Sequence, residues 1–172
     1  MKKILSIDAE TNGLWGSAFA ISAVLRNEDG TMETFVARCP IEGEVNPFVA
    51  ENVLPQMMAI PETHTSYNAI LKAFCEFYLA NKEGATIIVH VGLPVEARLF
   101  LDAHTMGYIG DWDAPFPLVD ISALPEIGCS TDTYNANHSI EMPTMEGGTH
   151  NPLYDCYSAL FAYEHWMGEH SL

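Results

Sequence analysis

Ile4-Leu5-Ser6-Ile7-Asp8-Ala9-Glu10-Thr11-Asn12-Gly13-Leu14 decides the fold of this chain. Residues 4–7 form a short apolar run, the pattern of a strand buried in the middle of a sheet, and the run ends on Asp8. Period-two alternation puts the Asp8 and Glu10 carboxylates on the same side of an extended backbone, close enough to share one cation. A carboxylate pair at the end of a buried strand is costly unless it is paired or metal-bound, which separates it from ordinary surface charge. Thr11-Asn12-Gly13 then supplies a tight turn and Leu14 an apolar side chain beside the pair.

Working outward, residues 18–25 and 33–36 read as two further strands, joined by the turn-like Asn27-Glu28-Asp29-Gly30 into a three-stranded antiparallel meander. Residues 47–58 suggest a short helix. Residues 63–81 suggest a longer one, with Tyr67, Ile70, Leu71, Phe74, Phe77 and Tyr78 at helical spacing. The β-branched run 86–91, bounded by Gly84 and Gly92, reads as a central parallel strand reached by a right-handed crossover. Residues 94–106 open on a proline and stop before Gly107, as a helix should, and 117–121 read as a fifth strand. Residues 129–149 are expected to be a long polar loop, and 152–167 a final helix capped by Asn151. The order βββ, α, β, α, β, α predicts one α/β domain over residues 1–172: a mixed sheet of three antiparallel strands plus parallel strands, flanked by helices.

Composition fits one globular domain, with 172 residues, 48% hydrophobic and 17% charged. No segment reaches the ~18 consecutive apolar residues of a membrane span, and the opening Met1-Lys2-Lys3 run meets Asp8 too soon for a signal-peptide core. A cytoplasmic location and no membrane partner are expected. Cys39, Cys75, Cys129 and Cys156 are widely spaced, without a CxxC pair, and read as buried or idle thiols. A Cys156–His150 hydrolase is set aside because no nucleophile elbow accompanies the cysteine.

His150-Asn151-Pro152-Leu153-Tyr154-Asp155 is the second constellation, a histidine just outside a helix and an aspartate in its first turns. Asp155 shares a helical row with Ala159 and Ala162, small residues that let the helix approach the sheet and carry the carboxylate toward Asp8. The bland alternatives are a favourable acid at a helix N-terminus and one histidine among seven.

Together these segments resemble the DEDD exonucleases. Ser6 to Leu14 is similar to their first motif, and His150 to Asp155 to their third in its histidine form; the tyrosine subtype would place Tyr where this chain has Asn151. The second motif is matched by Val91-Gly92-Leu93-Pro94-Val95-Glu96-Ala97-Arg98-Leu99-Phe100, with Glu96 where the family has aspartate. The nearby Asp102 fits the motif poorly and reads as solvated surface. The resemblance implies a ribonuclease-H-like fold and a 3′-to-5′ exonuclease acting on single-stranded or short RNA or DNA. It implies two divalent cations, Mg²⁺ or Mn²⁺, roughly 4 Å apart, held by Asp8, Glu10, Asp155 and Glu96, with His150 as general base. Leu14 and Trp15 are candidates for packing against the terminal bases.

Charge pulls the other way. The net −16, with only seven basic residues, has the wrong sign for gripping long nucleic acid by counterion release. Cations gathered by the acidic residues would invert the local field, and a short substrate would need little grip. Two rival readings remain: an acidic protein that mimics nucleic acid, and a degenerate exonuclease fold that binds without cutting, for which Glu96 is the best support. The sequence admits a homodimer but identifies no surface for one.

Overall fold

The computed structural model describes residues 2–170. Its centre is a five-stranded sheet in the order β3-β2-β1-β4-β5, built from β1 (Ile4–Thr11), β2 (Ala18–Arg26), β3 (Met32–Arg38), β4 (Thr86–Val89) and β5 (Val119–Asp120). The first three strands form the expected antiparallel meander, while β4 runs parallel to β1 and β5 parallel to β4. Helix α1 (Tyr67–Asn81) and helix α2 (Val95–Thr105) bury Ile70, Leu71, Phe74, Leu99 and Phe100 with Leu5 and Ile7 of β1, on one face. On the other face α4 (Pro152–Glu169) packs Cys156, Ala159 and Leu160 with Ile4, Val24 and Ile88. The small residues on α4 do let it settle onto the sheet: Ala159 and Ala162 are buried, and the Cys156 thiol donates to the Ser22 carbonyl at 3.3 Å.

Several boundaries differ from the sequence reading, each for a non-local reason. β1 does not stop at Ile7. Pairing with β2 carries it to Thr11, so Asp8 and Glu10 lie within the strand, opposite Ser22 and Ala20. β4 ends at Val89 rather than at 91, because the N–H groups of Val91 and Gly92 turn away to the Asp120 carboxylate, each at 3.0 Å. Gly92 is needed at this turn, since a Cβ there would meet Val89 Cγ2 at 2.4 Å. The fifth strand is only two residues long, and Asp120 then caps the 3₁₀ turn Ile121–Ala123.

Residues 47–58 form a π turn, Val49–Val53, and a 3₁₀ turn, Leu54–Met57, instead of one α-helix; Pro55 has no N–H to continue an α-helical ladder. The helix expected from 63 begins at Tyr67, capped by Ser66, because the N–H groups of Thr63 and His64 bond the Arg38 carbonyl. The loop expected over 129–149 contains a seven-residue helix, α3 (Thr131–Asn137), capped by Ser130. Asn151 caps α4 as expected, accepting from Leu153 and Tyr154.

Cys39, Cys75 and Cys156 are buried, Cys129 is exposed, and all four are free. Asp102 is not simply solvated: it accepts from Tyr67 Oη at 2.7 Å and pairs with Arg98 at 3.4 Å. Among the described residues no helix is long and apolar enough to cross a membrane.

Candidate metal and catalytic site

Alternation along β1 sends Asp8 and Glu10 to the α4 side of the sheet, and the first turns of α4 bring Asp155 to meet them. One carboxylate oxygen from each of the three lies within 4.8 Å of the others. Like charges held this close out of water resist ionisation. Burial, then the charges of Asp155, Glu96 and Glu10, holds the Asp8 carboxyl well above its usual range. Burial, then the charge of Glu10, pushes Asp155 up to about 7. Burial likewise raises Glu10, against the bond from His150. Three carboxylates in this state fit divalent cations: all donors are hard oxygens, and a cation would convert mutual repulsion into coordination.

His150 closes the group from above. Its backbone sits at φ +75°, where non-glycine residues are uncommon, and its N–H donates to Asp155 Oδ2 at 2.9 Å. The same turn places imidazole Nδ1 3.5 Å from Glu10 Oε1. That bond to Glu10 raises the His150 pKa, with burial opposing it. The loop before it is tethered: the Asn151 amide donates to the Glu146 carbonyl at 2.8 Å. At Gly147, φ +85°, a Cβ would stand 2.3 Å from the Gln56 carbonyl. The imidazole therefore already reaches the carboxylates without a loop movement.

Glu96 reaches the site differently. Its helix, α2, lies on the opposite face of the sheet, and the side chain is only 3% exposed. Lys3 bonds β4 through its carbonyl, so by alternation the Ala9 N–H points toward the same side, where β4 has already ended. Glu96 Oε1 takes that N–H at 3.0 Å, occupying the place of the missing strand. Burial pushes the Glu96 carboxyl up to about 8, against the bonds it accepts from its own and Ala9's backbone. Glu96 is near enough to raise Asp8 yet stands outside the close triad.

Two clefts meet at Glu10 and His150. One, about 290 Å³, adds Asp8, Asp155, His90 and Asp132. The other, about 370 Å³, is walled by Leu14, Phe48, Val49 and Val95. Leu14 is 61% exposed there. Trp15, 71% exposed, lines neither cleft; its carbonyl accepts from Arg98 Nη1 at 2.8 Å. Phe48 escaped the sequence reading. Its ring stands edge-on to His150 at 5.9 Å, held there because Asn12 Oδ1 accepts the Asn46 N–H at 2.8 Å and clamps the two loops together. Asp132 was also missed; it accepts from Tyr154, Thr149 and Ser158, and raises Asp155 further. Its signal in the sequence is the Ser130-Thr131-Asp132 helix start within an otherwise loop-like polar segment.

The chain matches no sequence-family model and no curated protein. Solved structures share its fold. A product-bound exonuclease I superposes with a TM-score of 0.67 at 11% identity, over 98% of this chain and 44% of the other. Escherichia coli exonuclease I with a dT13 oligonucleotide gives 0.66 at 12%, over 97% of this chain and 41% of that one. Exonuclease X with 5′-overhanging duplex DNA gives 0.53 at 17%, over 98% and 93%. The chain thus spans less than half of exonuclease I and nearly all of exonuclease X. Its mixed sheet flanked by helices is the ribonuclease-H-like fold of these exonucleases.

Proposed function

We propose that this protein is a metal-dependent 3′-to-5′ exonuclease that removes nucleotides from single-stranded or short RNA or DNA. The observation that carries the reading is the convergence of Asp8, Glu10 and Asp155 beneath His150, on a fold shared with two exonucleases.

Asp8, Glu10 and Asp155 would hold divalent cations, Mg²⁺ or Mn²⁺, with Glu96 contributing from the α2 side. When bound, the cations supply positive charge against the phosphoryl and leaving oxygens and acidify the attacking water. The protein's own groups do the rest. Glu10 fixes the His150 ring and raises its pKa, making the neutral ring a stronger base for the proton released as water attacks the terminal phosphorus. The P–O3′ bond breaks, and the shortened strand leaves with its 3′ oxygen. Leu14 and Phe48 offer an apolar seat for the terminal base, and stacking of that kind makes no demand on sequence. A net charge of −16 fits a site that meets phosphate only through its cations.

A second reading, a fold that binds nucleotides without cutting them, draws on one observation: Glu96 commits Oε1 to the Ala9 N–H, which leaves less of its carboxylate for a cation. One assay separates the two. The purified chain is incubated with 5′-labelled single-stranded RNA and DNA, in Mg²⁺, Mn²⁺ or chelator. Stepwise shortening from the 3′ end is expected with metal and not with chelator. Asp8→Ala should abolish it and His150→Ala should slow it by about 10²–10⁴-fold. Intact substrate under every metal condition would sink the enzyme reading.

A further inference from the structure

A second cluster of ligand-type side chains lies at the far end of α4 and takes no part in the chemistry above. His138, His165 and Glu169 each offer one ligand atom, and these atoms lie within 4.8 Å of one another. Ten residues of helix separate His165 from Asp155, about 15 Å at 1.5 Å per residue, so the two clusters are distinct.

The two elements meet here by design of their ends. His165 and Glu169 are four apart on α4 and so share a face, with His165 Nδ1 3.8 Å from Glu169 Oε2. His138 is the C-cap of α3, and the two imidazole rings stand 4.7 Å apart. Tyr134, only 1% exposed, orients both. Its carbonyl lies 2.9 Å from His138 Nδ1, and its hydroxyl 3.0 Å from His165 Nδ1.

The Tyr134 contacts set the protonation of the rings. A carbonyl only accepts, so His138 Nδ1 must carry the proton, and in the neutral ring Nε2 keeps its lone pair. His165 can take the same form by donating Nδ1–H to the Tyr134 hydroxyl oxygen. An imidazole held through one nitrogen by a backbone or side-chain oxygen, with the other nitrogen bare, is the usual state of a metal-ligating histidine. Among the described residues neither Nε2 has a hydrogen-bond partner. The simpler reading, two histidines serving only as hydrogen-bonding cover for Tyr134, leaves unexplained why two such rings and a carboxylate converge.

We infer that His138, His165 and Glu169 form a second metal site, selective for a late first-row divalent ion such as Zn²⁺. Two imidazoles and one carboxylate suit zinc, whereas the all-oxygen triad at the other end of α4 suits Mg²⁺ or Mn²⁺. Glu169 is exposed, so its side chain is free to draw in toward an ion held by the two rings, whose ligands would stand about 2.0–2.2 Å from it. The fourth position would be left to water. Such an ion ties the C-terminus of α3 to α4, and α3 carries Asp132 at its other end, beside Asp155.

The test uses the whole chain with Zn²⁺ alone as the probe, in excess Mg²⁺ to fill the acidic triad. Titration calorimetry is expected to find one equivalent of zinc bound. Zinc at 100 times its Kd should raise Tm by about 5–10 °C. His138→Ala and His165→Ala should each remove binding, Glu169→Gln should weaken it about 10-fold, and Asp155→Asn should leave it intact. Nitrogen-15 chemical shifts of the two rings should move on zinc addition in wild type; this readout stands even if an alanine variant folds poorly. Zinc binding that survives both histidine substitutions, or is lost with Asp155→Asn, overturns the site, and so does the absence of binding or of any ring shift. None of these results depends on nuclease activity.

Discussion

Strand β1 is approached from its two faces by two carboxylates, Asp155 from α4 and Glu96 from α2, and each accepts a backbone N–H from another segment of the chain. For Asp155 the donor is His150, a residue of the site itself, so the bond aims the carboxylate and the imidazole together at Asp8 and Glu10. For Glu96 the donor is Ala9, a strand residue that faces Ile21 of β2 on one side and is left unpaired on the other, where β4 ends. One bond assembles a site; the other repairs a sheet edge. The comparison teaches that carboxylates matched to the same motif set by sequence can be held by different obligations. Glu96, one methylene longer than the aspartate the motif leads one to expect, reaches the main chain.

The sharpest break between the two sides is Asp155→Asn. It removes a charge from the close triad while keeping an oxygen for the His150 N–H, so the fold should hold. The rate should fall on the order of 10³-fold or more, the scale of several kcal/mol of lost cation-borne stabilisation, as read by shortening of a 5′-labelled oligonucleotide. A fall no larger than that of Glu96→Gln would erase the distinction between the two faces.

Glu96→Gln comes next, and it tests the strand-repair role against a metal role. The amide oxygen still accepts the Ala9 N–H, so Tm in chelator should stay within about 2 °C of wild type at about pH 4, where Glu96 is protonated folded or unfolded. If the Glu96 charge also faces the cations, activity at limiting Mg²⁺ drops about 10–100-fold and recovers in part at high Mg²⁺. An unchanged rate would make Glu96 a strand tie alone. Glu96→Asp gives the reverse pattern. Its carboxylate withdraws from Ala9 and leaves a buried donor unpaired, at about 1–3 kcal/mol, which should lower Tm by about 2–10 °C.

The reach of Glu96 was invisible in the sequence, because it depends on where β4, a strand remote in sequence from Ala9, stops. The pair Asp8 and Glu10, the cap at Asn151 and the helix carrying Asp155 were legible because alternation, capping and helical spacing are local rules. Phe48 and Asp132 were not. Phe48 faces His150 only because Asn12 and Asn46 clamp two loops, and α3 is a seven-residue helix in a Ser-, Thr- and Asn-rich segment where propensity speaks for loop. The turn of the chain after β4, at Val91 and Gly92, likewise follows from Asp120, a residue of another strand.

Stability against pH probes both faces at once. Glu96 and Asp155 have folded pKa values of about 8 and about 7, above the unfolded carboxylate range near 4. Their protonated forms therefore favour folding. That contribution is complete below about pH 4 and is lost as pH rises through about 7 and then about 8. His150, also raised, works in the same direction. In chelator, Tm should fall between pH 6 and pH 8.5, and added Mn²⁺ should restore more at pH 8.5 than at pH 6. Asp155→Asn should remove the lower part of that fall and Glu96→Gln the upper part. A chelated protein whose Tm rises over this interval would contradict the raised pKa values that burial gives these carboxyl groups.

The smallest effect concerns the wall that neither carboxylate touches. If Phe48 seats the terminal base, Phe48→Ala loses about 1–3 kcal/mol of stacking, a rise in KM of about 5-fold or more with kcat nearly unchanged, measured on a short single strand. Phe48→Tyr keeps the ring and should keep KM. The ring also abuts His150, so an alternative role is to hold that imidazole over Glu10, and the two roles separate cleanly. Loss of ring support would lower kcat and shift the pH profile toward that of an unrestrained histidine, while loss of a base seat would move KM alone. Trp15→Ala serves as the control: a large exposed aromatic on the same loop as Leu14, it lines neither cleft and should leave both constants within about twofold.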